Sequence, residues 1–154
     1  MKINGFEQIK KHAQREKDRI GEKVFLSFHK MRDGTPFAII CSRTEVEAFY
    51  YNKRIIEGLG LALFNIREHA DGYKYISLHS IRSKYTHLGV GRAMLGVLKH
   101  HAIQNDCKYI TLTSVKNAEK FYERLGFYQS GITGELKDYS YNLNRISKKI
   151  HTNA

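Results

Sequence analysis

A glycine-containing segment carries the densest chemical signal in this 154-residue chain. It runs from Tyr85 to Arg92 with the sequence YTHLGVGR, between a segment of strand character and a segment of helical spacing. The first amides of a helix have no acceptor within the helix, and the helix dipole is positive there, so an anion binds well. Gly89 and Gly91 let the backbone come close to such a ligand. The segment predicts a phosphate site, but it is too short for a P-loop, and Met94 stands where the dinucleotide fingerprint ends in glycine.

A second segment with reactive side chains runs from Asn117 to Phe127, with the sequence NAEKFYERLGF. Its Tyr122 can donate a proton at neutral pH, because the pKa of a free tyrosine is about 10. The alternative is that Tyr122 is an aromatic core residue beside Phe121 on a helix. Only one helix and one strand fit between the two segments, which favours a shared role for them.

Together the two segments resemble the GNAT superfamily of N-acetyltransferases, over residues 75–127. Residues 81–91, IRSKYTHLGVG, resemble the family's strand end and pyrophosphate loop, usually written V-x-P-x-Y-R-G-x-G-x-G. Ile81 matches the Val and Tyr85 the Tyr, and the two late glycines are present. The second segment resembles another motif of the family, with Tyr122 at the position of the general acid. Ser83, Thr86 and His87 replace the family's usual Pro, Arg or Gln, and Gly.

The resemblance implies an acyltransferase that uses acetyl-coenzyme A as cosubstrate and an amine as direct nucleophile. The amide of Ile81 would bond the thioester carbonyl, and the main chain of Ser80 and Arg82 would hold the pantetheine arm. Asn117 would bond the pantetheine amide, and Tyr122 would protonate the departing sulfur. The backbone amides of the loop would take the pyrophosphate. The loop residues with this role are Thr86, His87, Leu88, Gly89, Val90, Gly91 and Arg92.

The amine must lose a proton before it attacks, because an alkyl amine is mostly protonated at neutral pH. His79 lies on the same strand face as Ile81 by the two-residue period of a strand, and it could take that proton directly or through a water. Glu47, Glu57 and Tyr75 are other candidates for the base, and bulk water is a further one. The histidines and cysteines form no metal-binding motif, so the sequence predicts no metal.

The patterns around these motifs predict an α/β (α+β) fold with a mixed sheet flanked by helices. The resemblance implies that this sheet is centrally splayed, as in GNAT-like acyl-CoA N-acyltransferases. Asn4 is a candidate cap for the first helix, and Gly126 for the end of the last one. Gly58 and Gly60 within one strand suggest a bulge or a close approach of another backbone. The predicted helices span 5–19, 90–103 and 118–125, and the predicted strands 24–28, 37–41, 47–51, 55–66, 73–81, 109–113, 127–130 and 136–143.

The length and the absence of a linker predict one domain over residues 1–154, with a coenzyme-binding core over about 73–130. The tail, over about 145–154, is basic and polar, and it could be disordered or part of a homodimer contact. An edge strand near Leu136 to Leu143 could pair between subunits.

The formal net charge of +11 predicts a surface that attracts anions, with the positive charges spread along the chain. Because no basic block is concentrated in the sequence, nucleic acid is a less favoured partner. The resemblance implies a small-molecule or peptide amine as the acceptor. No apolar run is long enough to cross a bilayer, the charged first residues do not form a secretory signal, and the two cysteines have no CxxC spacing, so a cytoplasmic location is expected. Three other functions stay open: a transfer-RNA-acylating toxin on the same scaffold, a coenzyme-binding module without catalysis, and an interaction protein without a coenzyme site.

Overall fold

The computed structural model describes residues 5–21 and 24–143. Within these ranges the chain forms three α-helices and eight strands, and no described helix is long and apolar enough to cross a membrane. The predicted Asn4 cap and the tail over 145–154 lie outside the described residues. The elements in chain order are α1 (Phe6–Ile20), β1 (Phe25–Lys30), β2 (Pro36–Cys41), β3 (Glu45–Asn52), β4 (Ile55–Glu68), β5 (Lys74–Ser83), α2 (Val90–Gln104), β6 (Cys107–Ser114), a 3-10 helix (Lys116–Ala118), α3 (Glu119–Arg124), β7 (Tyr128–Thr133) and β8 (Leu136–Asn142).

The strands form one mixed sheet in the order β1-β2-β3-β4-β5-β6-β8-β7, which confirms the expected fold class. β5 and β6 pair in parallel, whereas β1–β2, β2–β3, β3–β4, β6–β8 and β7–β8 pair antiparallel. The parallel ladder stops at Ser77, although β5 continues to Ser83. One expectation was wrong: β8 lies between β6 and β7, so the edge strand of this part of the sheet is β7. β8 is covered because it hydrogen-bonds on both sides, to Thr111 of β6 and to Gln129 of β7 at neighbouring positions.

The chain divides into two compact units, and β4, β5 and α2 contribute residues to both. The first unit comprises residues 5–21, 24–63 and 80–98 of the described chain. Its core beneath α1 joins Ile9 and Ala13 of the helix to Ala38, Ile40 and Phe49 of the sheet. The apolar stripe predicted for this helix is therefore confirmed at two of its positions, because an amphipathic helix buries the side that carries its apolar residues.

A bulge between β3 and β4 in the first unit accounts for the two glycines of β4. Ala48 pairs with Gly60 and Phe49 with Gly58, so that Leu59 is the extra residue. A Cβ on Gly60 would lie 2.7 Å from the carbonyl oxygen of Arg82, whereas a Cβ on Gly58 would meet nothing within 4 Å. Both predicted reasons for glycine, a bulge and a close backbone approach, are therefore confirmed in this strand.

The second unit comprises residues 64–79 and 99–143 of the described chain. Its buried side chains include Phe64, Ile76, Ile110 and Tyr139. The helix before β7 begins as a 3-10 turn and ends at Arg124, and Gly126 follows with a left-handed φ of 93°. This is the conformation that glycine adopts with little strain after the end of a helix.

Both cysteines are free thiols, one in each unit, and both are buried. Burial raises the pKa of the Cys41 thiol to about 12. It also raises the pKa of Cys107. A buried thiol that stays protonated packs as a small apolar side chain.

Candidate active site

The loop from β5 to α2 in the first unit turns through two left-handed residues. His87 has a φ of 66° and Gly89 a φ of 87°. The hydroxyl of Ser83 donates a hydrogen bond to the carbonyl oxygen of Tyr85 at 2.8 Å, which closes the start of the loop. The amide of Lys84 bonds the carbonyl of the bulge residue Leu59 at 2.7 Å. The loop is therefore held by the sheet on one side before it enters the helix.

The start of α2 presents backbone donors that the described part of the chain does not use. The amide of Ala93 donates to the carbonyl of Gly89 at 3.0 Å, which is the first bond of the helix. The amides of Val90, Gly91 and Arg92 precede this bond and have no acceptor in the described chain. Three adjacent N–H groups at the positive end of a helix are suited to hold a phosphate.

Arg32, in the turn after β1, braces this loop and is a residue that the sequence reasoning missed. Its amide donates to the carbonyl of Leu88 at 3.0 Å, and its guanidinium donates to the carbonyl of His87 at 3.1 Å. The contact joins positions 55 apart in the chain, and no local pattern marks it. Because Arg32 donates hydrogen bonds to two carbonyl oxygens of the loop, it stabilises the left-handed turn. It also brings a positive charge next to the loop.

Glu57 of β4, one of the candidates for the base, is held by several donors. It accepts hydrogen bonds from Asn52 at 3.1 Å and from Tyr50 at 3.0 Å, and the ammonium group of Lys84 lies 3.5 Å away. The bond from Asn52, followed by the bond from Tyr50, lowers the pKa of Glu57. This carboxylate is therefore stabilised in its ionised form and is a weak proton acceptor.

A cavity of about 560 Å³ opens in the first unit. Its walls are α1, β3, the bulge of β4 and the last residues of β5. Glu47 of β3 lines it, and Nε2 of His12 lies 3.4 Å from Oε1 of this glutamate. Burial raises the pKa of Glu47, while the neighbouring His12 acts in the opposite direction. Of the candidates for the base, Glu47 is the one that lines this cavity.

The other two carboxylates of the cavity wall already have a cation. The guanidinium of Arg19 lies 2.7 Å from Glu16 and 3.7 Å from Glu45. His12, Glu16 and Glu47 bring their ligand atoms within 4.8 Å of one another, a spacing that a metal ion could use. However, Glu16 already holds the guanidinium of Arg19, which competes with a metal ion for this carboxylate. Glu47 contacts one imidazole nitrogen among the described residues.

Tyr122 lies in the second unit and is buried, with 7% of its surface exposed. Its ring contacts three other rings, of Phe121 at 5.3 Å, Phe127 at 5.6 Å and Tyr139 at 6.3 Å between centroids. Burial raises the pKa of its hydroxyl to about 12. This hydroxyl has no hydrogen-bond partner among the described residues, so its proton is free for another acceptor.

The remaining predicted site residues lie along β5 and in the 3-10 helix. Ser80 and Ile81 are half-buried and Arg82 is exposed, all in the first unit next to the loop. In the second unit, His79 is exposed and its Nε2 lies 2.9 Å from the side-chain amide of Asn65. Asn117 of the 3-10 helix is exposed, and Tyr75 stacks on Tyr109 at 5.0 Å. The structure thus brings the predicted coenzyme residues 80–92 together on one strand, loop and helix.

Comparison with solved structures finds the same fold in several proteins, some of which are described as acetyltransferases. Arabidopsis thaliana Naa50, in complex with the bisubstrate analogue CoA-Ac-MVNAL, is 23% identical, with a TM-score of 0.50 over 65% of this chain and 73% of its own. The PaiA N-acetyltransferase of Thermoplasma acidophilum, in complex with coenzyme A, is 13% identical, with a TM-score of 0.53 over 82% of this chain and 65% of its own. The protein of the KacTA–DNA complex is 14% identical, with a TM-score of 0.54 over 73% of this chain and 76% of its own. These identities show a shared fold.

A search of curated proteins found no match. A family model, described as the acetyltransferase (GNAT) domain, matches residues 21–139, which is more than half of the chain. The match includes the whole of β5, its loop and the start of α2, as well as Tyr122. The chain belongs to the acetyltransferase (GNAT) domain family.

Proposed function

We propose that this chain is an N-acetyltransferase that moves an acetyl group from acetyl-coenzyme A to a primary amine by direct attack. The observation that carries this proposal is the left-handed loop after β5, which leads into three amides of α2 that have no acceptor among residues 5–21 and 24–143. A pyrophosphate supplies the oxygens that these donors lack. Family membership and the coenzyme A complexes of two structural neighbours support the same ligand.

In the proposed complex, Val90, Gly91 and Arg92 donate their amides to the pyrophosphate, and residues 86–89 shape the loop around it. Arg32 adds a positive charge beside the loop, because its guanidinium is already fixed on the carbonyl of His87. The main chain of β5 carries the pantetheine arm, in agreement with the family motif. The amide of Ile81 then stabilises the charge that develops on the thioester oxygen during attack.

Tyr122 is the proposed general acid. Its hydroxyl stays protonated to a pH near its raised pKa of about 12. It can therefore donate to the thiolate that leaves when the carbon–sulfur bond breaks. A buried site raises the basicity of the thiolate as well, because burial disfavours every anion, so the proton is shared more evenly than the pKa values in water suggest.

Calorimetric titration with acetyl-coenzyme A tests the coenzyme site. Gly91→Glu should abolish saturable binding, because the new carboxylate occupies the place of the pyrophosphate. Gly96→Glu is a matched control on the same helix, since Gly96 is exposed and has nothing within 4 Å of its Cβ position. Binding that persists in Gly91→Glu would contradict the loop assignment.

Turnover tests the catalytic half of the proposal. Thiol release from acetyl-coenzyme A is followed with a panel of primary amines as acceptors. Amine-dependent release supports the transferase. Saturable coenzyme binding without release across the panel would instead indicate a coenzyme-binding module.

A further inference from the structure

We infer that the cavity of the first unit is the acceptor site, that it takes the primary ammonium group of an alkyl amine, and that Glu47 is the catalytic base that accepts its proton. This inference rests on the proposed transferase function. It assigns a base and a class of acceptor, and it can fail while the transferase stands.

The position of the cavity is the first argument. One wall is formed by Arg82 and Ser83, the last two residues of β5, and by Lys84 just after the strand, and these three residues directly follow Ile81. A molecule in the cavity therefore lies beside the strand that leads into the phosphate loop. A volume of about 560 Å³ is within the usual range for a small-molecule site.

The charge of the cavity is the second argument. Arg19 is shared between Glu16 and Glu45, whereas the described partner of Glu47 is an imidazole. Glu47 therefore has no ion pair with an arginine or lysine in the described chain, and an incoming ammonium can pair with it. Side-chain exposure is 26% for Glu47 and 20% for His12, so this pair is partly withdrawn from water. His12 also packs edge-on against Phe49 at 4.6 Å, which fixes the imidazole beside the carboxylate.

The floor of the cavity is apolar and selects the body of the acceptor. Leu59 is buried, and Leu61 is 40% exposed where it lines the cavity. An alkyl chain can rest on these side chains while its ammonium reaches Glu47. This combination of an apolar floor and one carboxylate without a guanidinium partner, Glu47, fits an alkyl ammonium group, either of a free amine or of a lysine side chain.

The presence of a base also favours an alkyl amine over a peptide α-amine. The pKa of an alkyl ammonium is about 10.4, whereas that of an α-ammonium is about 8, so the alkyl amine depends far more on a base. Transfer into the cavity lowers the pKa of an ammonium and raises that of a carboxylate. The two values approach each other, and proton transfer to Glu47 becomes less costly.

The protons balance in the inferred step. The ammonium gives one proton to Glu47, and the neutral amine forms a bond to the thioester carbon. The nitrogen loses a second proton to solvent as the carbon–sulfur bond breaks, and the sulfur gains one. Acetylation thus releases one net proton, and Glu47 returns to its carboxylate form through solvent.

Other charged groups near Glu47 influence the pKa of its carboxyl group. The bulge of β4 contributes none, since Gly58, Leu59, Gly60 and Leu61 carry no charge. The groups that matter come from α1, from β3 and from the end of β5: His12, Glu16, Arg19, Glu45, Arg82 and Lys84.

The first experiment compares Glu47→Gln with Glu57→Gln. Glu47→Gln keeps the size of the side chain and an acceptor for His12, so the fold should persist. We expect kcat to fall by about a hundredfold, as for loss of a general base. The Kd of acetyl-coenzyme A should not change, and the acidic limb of the pH profile should disappear. Glu57→Gln should keep that limb. Two results would overturn the role of Glu47. One is that Glu47→Gln turns over as fast as the wild type and keeps the acidic limb of the pH profile. The other is that EDTA, which removes metal ions, abolishes turnover of the wild-type protein.

The second experiment tests the class of acceptor. Butylamine stands for a free alkyl amine, the methylamide of Nα-acetyl-lysine for a lysine side chain, and alanine methylamide for a peptide α-amine. At least one alkyl acceptor should exceed alanine methylamide in kcat/KM by on the order of tenfold. A preference for alanine methylamide would overturn the assignment. Leu61→Lys should raise the KM of the better alkyl acceptor by like-charge repulsion, whereas the matched Leu61→Glu should not.

The two proposals fail in different ways. If acetyl-coenzyme A does not bind the wild-type chain, the transferase itself is wrong. If it binds and Leu61→Lys leaves the KM of the alkyl amine unchanged, the acceptor assignment to this cavity is wrong, and the coenzyme site stands.

Discussion

Tyr122 and Tyr139 are neighbouring buried tyrosines with different surroundings at the hydroxyl. Tyr139 donates a hydrogen bond to Glu123 at 2.8 Å, whereas Tyr122 has no partner among the residues described. No fully buried side-chain oxygen of the described chain lacks a hydrogen-bond partner, so the Tyr122 hydroxyl is the part of this side chain that stays accessible. The pair therefore offers a comparison within one ring cluster between the proposed general acid, Tyr122, and a tyrosine whose hydroxyl is bound to the protein.

Tyr122→Phe should lower kcat by about a hundredfold, because it removes the proton donor without removing the ring. The Kd of acetyl-coenzyme A and the midpoint of thermal unfolding should change little. Tyr139→Phe, the matched control, should lower the midpoint because Glu123 loses a donor, while turnover is kept. Unchanged turnover in Tyr122→Phe would remove this residue from its role.

The raised pKa of Tyr122 also predicts how turnover depends on alkaline pH. Because the pKa of Tyr122 is raised to about 12, its acid form persists through the alkaline range in which a free tyrosine begins to ionise. Turnover in the wild type should therefore show no decline from this group up to the ordinary pKa of tyrosine, which is 10.0. A decline that Tyr122→Phe abolishes in this range would contradict the raised pKa.

Glu47 and Glu57 should affect stability with opposite dependence on pH. Burial raises the pKa of Glu47, so the folded chain holds a proton that the unfolded chain has already lost, and stability falls as pH rises through this window. The pKa of Glu57 is lowered by its donors, so its contribution to stability grows as pH rises from the lowered pKa to the ordinary value and is complete above it. From acid to neutral pH, Glu47→Gln should gain stability relative to wild type and Glu57→Gln should lose it, as measured by thermal unfolding. Parallel shifts in the two variants would contradict these directions.

At the scale of elements, the bulge in β4 positions both the cavity and the loop. Leu59 receives the amide of Lys84, so one inserted residue ties the end of β5 to the strand beside it. Gly60 allows the Arg82 carbonyl and the side chain of Met94 to approach within 3 Å of the place where a Cβ would stand. The strand can bend here only because the residue has no side chain.

Gly60→Ala should therefore destabilise the fold by about 1–3 kcal/mol, as overpacking against a backbone atom does. It should also weaken the binding of acetyl-coenzyme A, because the end of β5 must shift. Gly58→Ala, two positions away in open space, should change neither quantity by much. Denaturant unfolding and calorimetry measure both, and equal effects at the two glycines would show that the close approach does not matter.

Arg32 gives a second prediction for the loop. Arg32→Ala removes the guanidinium bond to the His87 carbonyl but keeps the bond from its own amide. The Kd of acetyl-coenzyme A should rise by about tenfold, as for the loss of one charged hydrogen bond. Arg67→Ala removes the same charge from an exposed position of β4 and serves as the control. A similar change in both variants would indicate a general charge effect.

At the scale of the molecule, the net charge of +11 acts on every anionic ligand. Raising the ionic strength should slow the association of acetyl-coenzyme A by on the order of tenfold, because salt screens the attraction. Mixed RNA is the contrasting ligand. Absence of RNA binding at low salt would exclude a transfer-RNA substrate, whereas tight binding with a steep salt dependence would favour the toxin over a small amine acceptor.

The fold was predictable where local patterns decide it. The helical spacing after Gly89 and the strand before it predicted α2 and β5, and the two glycines of β4 predicted the bulge. Contacts between distant elements were not predictable, because no periodicity joins His12 to Glu47 or Arg32 to the loop. The place of β8 within the sheet was missed for the same reason: a strand's pattern does not name its neighbours. The roles of the predicted site residues stay predictions until the variants are measured.

The two buried thiols have a practical consequence at the bench. Thiol-detecting dyes react with thiolates, and both cysteines of the chain are buried with raised pKa values. The folded protein alone should therefore give little dye signal, and the dye signal in an assay should report the coenzyme A that turnover releases. The same dye becomes a probe of unfolding, because both thiols become reactive once the core opens. One reagent can thus separate an inactive variant from an unfolded one in a single cuvette.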